Sequence, residues 1–129
     1  MDEGMLPNEP LKFHVPVATV FFPFPIHYLS IAAMDMRERS IKRILNSLQD
    51  NSYLTINDVL NATLEDLGKA RNFGKRGEAF LLELLRRIAD HPELILETEK
   101  LGHDLQAEVE RIKQMEPIKT QLRALGLKV

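Results

Sequence analysis

The sequence predicts an all-α fold: a compact bundle of short helices, with an extended N-terminal arm and a C-terminal helical extension. Three observations predict it. Apolar residues recur at helical spacing over 36–48, 77–89 and 93–115. Thr55 and Thr63 each stand three residues before an aspartate, Asp58 and Asp66, at the head of a short apolar run, as helix-starting residues do. Strand-like composition is confined to one proline-broken stretch, 13–22.

The elements follow in order. Residues 1–12 are polar and hold Gly4, Pro7 and Pro10, which predicts a flexible leader. Residues 13–22 are β-branched and aromatic, and Pro16 limits them to an edge strand or an extended arm. Four of the six phenylalanines and Tyr28 crowd this quarter of the sequence. Such an apolar arm either packs on its own domain or covers a partner or a second copy, which makes a homodimer one candidate assembly. Pro23 and Pro25 force a break, after which the pattern turns helical.

Residues 36–48 put Ile41, Ile44, Leu45 and Leu48 on one face and most of the basic residues on the other. Gln49–Ser52 reads as a polar loop, followed by the two threonine-capped helices, the second reaching about Ala70. Arg71–Gly77 reads as a tight turn around Gly74 and Gly77. The most apolar helix follows over 77–89, with Phe80, Leu81, Leu84, Leu85 and Ile88, and Asp90-His91-Pro92 ends it. A further helical pattern covers 93–115, weakened at Gly102, and either packs on the bundle or pairs with another chain. Pro117 closes it, and 118–125 forms a last short helix ending at Gly126. Three regions result: a leader and apolar arm at 1–25, a helical domain at 26–90 and a helical extension at 91–129.

Composition narrows the function. The 129 residues include no cysteine, which excludes disulfides, thiolate nucleophiles and Cys-ligated zinc. His14, His27, His91 and His103 are scattered without metal-ligand spacing, so no metal is expected. No Ser-His-Asp arrangement, phosphate-binding loop or dinucleotide fingerprint is present, so neither an enzyme nor a cofactor is expected. Phe13–Met34 lacks any Asp, Glu, Lys or Arg and is long enough to cross a bilayer. Three prolines interrupt it, however, and the preceding charged residues, Asp2, Glu3 and Glu9, are acidic, unlike an export signal. A cytoplasmic protein without a membrane partner is expected.

Charge is unevenly spread. The formal net charge is −2, yet residues 36–87 hold ten basic residues against seven acidic ones, and the rest of the sequence holds seven against twelve. A basic middle between acidic ends suits an anionic partner. The glycine turn supplies the chemistry. Gly74 lets backbone approach phosphate closely, the helix after it offers unpaired N–H groups, and Lys75 and Arg76 add charge at the same place. Asn72 can hydrogen-bond backbone or sugar. On the first helix, Arg37, Arg39, Lys42 and Arg43 form either a solvated face or a second cationic contact.

Arg39-Ser40, the run Thr63-Leu64-Glu65-Asp66-Leu67 and the run from Lys69 to Arg76 together resemble the C-terminal domain of the bacterial RNA polymerase α subunit. The likeness extends over about residues 26–89. It implies a helical bundle with a helix-hairpin-helix-like turn that binds the minor groove and phosphates of A·T-rich DNA and docks transcription regulators. Carried onto this sequence, it implies minor-groove contact by Arg39 and phosphate or groove-edge contact by Gly74, Lys75 and Arg76, with Asn72 in support. Lys42 stands where the family usually has Asn, and Gly77 where it usually has Ser. The candidate DNA-binding set is Arg39, Lys42, Arg43, Asn72, Gly74, Lys75, Arg76 and Gly77. The alternative is a module of the same fold that docks on RNA polymerase or a regulator without touching DNA. The sequence is too short to hold the α subunit's assembly domain as well, and Met1 suggests a stand-alone relative rather than a fragment.

Overall fold

The computed structural model describes residues 8–33 and 38–127. Arg37, most of the polar leader and the first residues of the helix expected from 36 lie outside the described residues. Among the described residues six α-helices follow one another: α1 (Glu38–Asp50), α2 (Ile56–Leu60), α3 (Leu64–Gly68), α4 (Gly74–Asp90), α5 (His103–Lys113) and α6 (Glu116–Ala124). Three 3₁₀ segments precede α1 among the described residues, the longest spanning Ile26–Ala32, and two lie between α4 and α5. Among the described residues there is no strand beyond two isolated bridges, so the fold is all-α as expected.

Residues 13–22 are where the expectation of a strand or extended arm gives way. The segment coils through 3₁₀ turns at Leu11–Phe13 and Thr19–Phe21. A strand would send successive side chains to opposite faces. Here Val15, Val17, Val20, Phe21 and Phe24 all turn inward, which needs a coiled path. The apolar arm thus packs into its own domain. Its edges close on the starts of the short helices: Pro10 bridges Thr63 and Pro25 bridges Thr55. Leu11 N donates to Ala62 O at 3.0 Å, Ile26 N to Leu54 O at 2.8 Å and Ile56 N to Phe24 O at 3.0 Å. Phe13 alone of this group stays out, 69% exposed, with Lys12 Nζ 5.6 Å from its ring centre.

Both threonines cap as the sequence predicts. Thr55 Oγ1 accepts from Asp58 N while the Asp58 carboxylate accepts from Thr55 N, and Thr63 and Asp66 repeat the exchange. These boxes satisfy amide groups that five-residue helices cannot satisfy themselves. The core behind them is continuous, with Ile44, Leu45 and Leu48 from α1, Val59 and Leu60 from α2, Leu67 from α3, and Leu81, Leu84, Leu85 and Ile88 from α4.

The helix expected over 93–115 is divided. Residues Pro92–Leu96 and Thr98–Lys100 form 3₁₀ turns, Leu101 is extended, and α5 begins after Gly102. Gly102, expected only to weaken a helix, caps a new one. Pro117 opens α6 rather than closing what precedes it, because a proline in the first turn gives up no hydrogen bond. The buried Lys113 ties the turns to α5: its ammonium donates to Ile95 O at 3.0 Å and pairs with Glu110 at 3.2 Å. Thr98 Oγ1 donates to the same Glu110 carboxylate. Arg87 of α4 similarly holds the Ile26–Ala32 segment by donating to Ala32 O at 2.9 Å.

Tyr28 sits at the centre of the molecule with its hydroxyl buried and without a hydrogen-bond partner among the described residues. Burial, and after it the negative charge of Glu97, push its phenol well above the ordinary 10.0. A raised folded-state value makes a stability contribution that is intact below pH 10 and lost as the pH climbs above it, because only the unfolded phenol then ionises freely. Tyr28→Phe is expected to raise stability at neutral pH by about 1 kcal/mol, since it removes an unpaired buried hydroxyl. The gain should widen above pH 10, as read by urea denaturation at pH 7 and pH 10.5. A loss of stability at both values would show that the hydroxyl has a partner in solution.

Candidate nucleic-acid interface

The hairpin between α3 and α4 carries most of the candidate residues. α3 ends at Gly68, Lys69 N and Ala70 N close the turn on Asp66 O and Leu67 O, and the backbone reverses through two left-handed residues. Asn72 has φ +59° and Gly74 φ +66°. Asparagine and glycine are the residues that tolerate this region. α4 starts at Gly74, three residues before the predicted position, so Lys75 and Arg76 lie inside its first turn and are exposed.

This helix start differs from its two predecessors. α2 and α3 begin with closed capping boxes, whereas α4 has no side-chain cap and no acidic residue in its first turn. Two cations occupy that turn instead. Cations at a helix N-terminus oppose the helix dipole and cost stability, while the same end attracts an anion. The arrangement is poor for α4 by itself and suited to an anionic ligand.

Gly77 plays a different part from its neighbours. It is buried, and a Cβ there would lie 2.9 Å from Phe73 Cδ1. The missing side chain seats the Phe73 ring, which anchors the hairpin in the core.

α1 supplies the second cationic group. Arg39, Lys42 and Arg43 are all exposed on the face opposite Ile41, Ile44, Leu45 and Leu48. The hairpin docks on this helix near its C-terminal end: Ser47 Oγ donates to Arg71 O at 2.5 Å, and Asn51 Oδ1 accepts from Arg71 N at 3.2 Å. Arg43 lies one turn before Ser47 on the same stripe, about 6 Å along the axis, and Arg39 another turn away, about 12 Å from Ser47. Lys42 is rotated by about 100° from Arg43, toward the other edge of the exposed face. The fold therefore sets Arg43 nearest the hairpin, Arg39 further along the same stripe and Lys42 aside.

The side chains of Arg39, Lys42, Arg43, Lys69, Arg71, Lys75 and Arg76 make no ion pair or hydrogen bond with a described residue. Elsewhere Arg87, Lys100 and Lys113 are each paired with a glutamate, while Arg86, Arg111, Lys119 and Arg123 likewise have no ion pair with a described residue. Beside the hairpin runs a shallow groove of about 450 Å³ lined by Leu64, Glu65, Gly68, Gly74, Lys75 and Glu78, so two carboxylates border the basic helix start on one side. Among the described residues no three His, Asp or Glu side chains gather where a metal ion could be held, and no helix is long and apolar enough to cross a membrane.

Ser47 and Asn51 are the residues that reading the sequence missed. Neither carries charge, and both fall in what reads as an ordinary polar helix edge and loop. Gly77→Ala is expected to cost about 1–3 kcal/mol by forcing the Phe73 ring aside. The change should appear as an earlier midpoint in chemical denaturation, and an unchanged midpoint would mean that the ring has room to move.

Residues 26–85 match the family model for the C-terminal domain of the bacterial RNA polymerase alpha subunit. No curated protein and no solved structure matches the sequence. The matched stretch holds α1, the two capped helices, the hairpin and most of α4, and leaves residues 8–25, α5 and α6 outside it. The part of the protein that bears every candidate residue is thus similar to the C-terminal domain of the bacterial RNA polymerase α subunit.

Proposed function

We propose that the protein is a cytoplasmic, transcription-associated DNA-binding module that contacts phosphates and the minor groove of A·T-rich duplexes. The observation that carries this reading is the uncapped start of α4, with Lys75 and Arg76 in its first turn and no acidic residue there. The family match adds the precedent. In this reading the α4 start and its exposed N–H groups hold phosphate irrespective of sequence. Arg39 enters a narrow minor groove, where A·T tracts concentrate negative potential. Arg43 bridges the two, Lys42 adds affinity without base discrimination, Asn72 and Gly74 bring the backbone close, and Gly77 acts through the Phe73 ring.

The groove of Leu64, Glu65, Gly68 and Glu78 favours a second reading. A partly apolar groove edged by carboxylates suits a protein surface better than a phosphate backbone. On that reading the module docks on RNA polymerase or a regulator.

Titration of the full-length protein with A·T-rich and G·C-rich duplexes at two salt concentrations separates them. Four or five neutralised phosphates correspond to a log–log salt slope of about −4. Arg39→Ala is expected to lose about 1–3 kcal/mol on A·T-rich DNA and less on G·C-rich DNA. Lys75→Ala is expected to weaken both equally and to reduce the slope by about one. No binding at low salt, or an A·T preference untouched by Arg39→Ala, would move the assignment to protein docking. Copurification with RNA polymerase should then be lost in Glu65→Lys and retained in Arg39→Ala, which lies outside the groove.

A further inference from the structure

We infer that Ser47 and Asn51 are positioning residues that lock the hairpin to α1 and so set the spacing between the two cationic groups. The inference rests on the DNA-binding reading and extends it to two uncharged residues that would touch no DNA.

The geometry is specific to one residue's backbone. Arg71 O accepts from Ser47 Oγ at 2.5 Å and from Asn51 Nδ2 at 3.3 Å, and Arg71 N donates to Asn51 Oδ1 at 3.2 Å. Both the donor and the acceptor of Arg71 are thus taken by side chains of α1 and of the residue just after it. Asn51 is itself held, because its Nδ2 also donates to Ser47 O at 2.8 Å and its backbone N–H bonds to Ser47 O and Leu48 O at 3.1 Å. Ser47 is only 5% exposed, so its hydroxyl has little water to turn to. The next residue, Asn72, is left-handed, and Gly74 follows in the same region. Conformations of this kind persist only where the surroundings over-determine them. Here the surroundings are the end of α1, and the same helix carries Arg39 and Arg43.

Consequently the clamp acts on two things at once: the shape of the turn that presents Lys75 and Arg76, and the distance from that turn to Arg43. Removing it leaves every charge in place. A loosened hairpin can still meet phosphate, but it must be ordered on binding, which costs affinity without changing how many phosphates are neutralised.

The test compares full-length wild type, Asn51→Ala, Ser47→Ala and Lys75→Ala on an A·T-rich duplex across a salt series, with amide hydrogen exchange on the free proteins. Asn51→Ala is expected to weaken binding about fivefold, the worth of one net hydrogen bond, with the salt slope unchanged. Lys75→Ala should flatten the slope. Exchange at Arg71 N–H should quicken in Asn51→Ala while amide groups of the α4 interior stay protected, which shows a folded variant with a freed turn. Ser47→Ala removes one donor to Arg71 O only and should fall between wild type and Asn51→Ala, so it serves where the larger change disturbs folding. Wild-type affinity in both folded variants overturns the clamp's role while leaving DNA binding intact. Absence of binding by the wild type overturns the DNA reading, and this inference with it.

Discussion

Phe21, Phe24 and Tyr28 meet in the middle of the molecule, and the short helices depend on that contact. Phe24 lies edge-on to Tyr28 with ring centres 4.9 Å apart and edge-on to Phe21 at 5.8 Å, and all three are inaccessible to solvent. Such pairs add to what their buried area contributes. The need for them is plain from the helices around them. α2 and α3 have five residues each, well below the length at which a helix holds itself together in water. They exist because capping boxes close their starts and because the segment carrying the aromatic rings supplies both apolar surface and backbone partners. Phe22 O and Phe24 O accept from Asn57 N and Ile56 N at the start of α2. Residues 8–25 lie outside the matched family stretch, yet they are part of the same core.

Stability and ligand chemistry pull in different directions at the three consecutive helix starts. Two are finished in the way that stabilises a helix, with threonine and aspartate exchanging bonds. The third is left open with two cations in its first turn. Since the same short stretch of sequence builds both kinds of start, the open one is not explained by a general poverty of capping residues. It is held by other means: Phe73 in the core, Gly77 beneath its ring, and Arg71 gripped from α1. The hairpin is stabilised from outside so that its own end stays free.

Much of this is legible in the sequence, and the features that are not share a physical reason. The helical periods of α1 and α4 and both threonine caps can be read because they depend on neighbours within four residues. The coiled path of residues 11–24 cannot be read, because Val15, Val17, Val20 and Phe21 satisfy a strand pattern locally and are overridden by a core built from distant helices. Gly102 and Pro117 act in the opposite sense to the one their positions suggest. Each can end one helix or start another: at Gly102 Lys113 and Glu110 pin the 3₁₀ turns before α5, and at Pro117 the extended Met115 has already broken the helix. At the candidate site, the charged residues announce themselves by type. Ser47 and Asn51 do not, since their partner Arg71 is twenty or more residues away and is reached through its backbone, which leaves no mark on side-chain identity.

Net charge is a poor guide to what this surface attracts. The protein is formally −2, yet α1 and the hairpin carry Arg39, Lys42, Arg43, Lys69, Arg71, Lys75 and Arg76 without an ion pair to a described residue, whereas Lys100 and Lys113 in the C-terminal part are held by nearby glutamates. A pair of opposite charges a few ångströms apart has little field at the distance of an incoming ligand, while an unpaired cation acts out to a Debye length of about 8–10 Å. Glu65 and Glu78 then limit the effect on one side of the hairpin. An anion approaching along the groove there meets two carboxylates as well as Lys75. A ligand that spans both cationic groups gains more when their separation is fixed before it arrives, because no ordering cost is then met on binding. That saving is what the proposed clamp of Ser47 and Asn51 would supply.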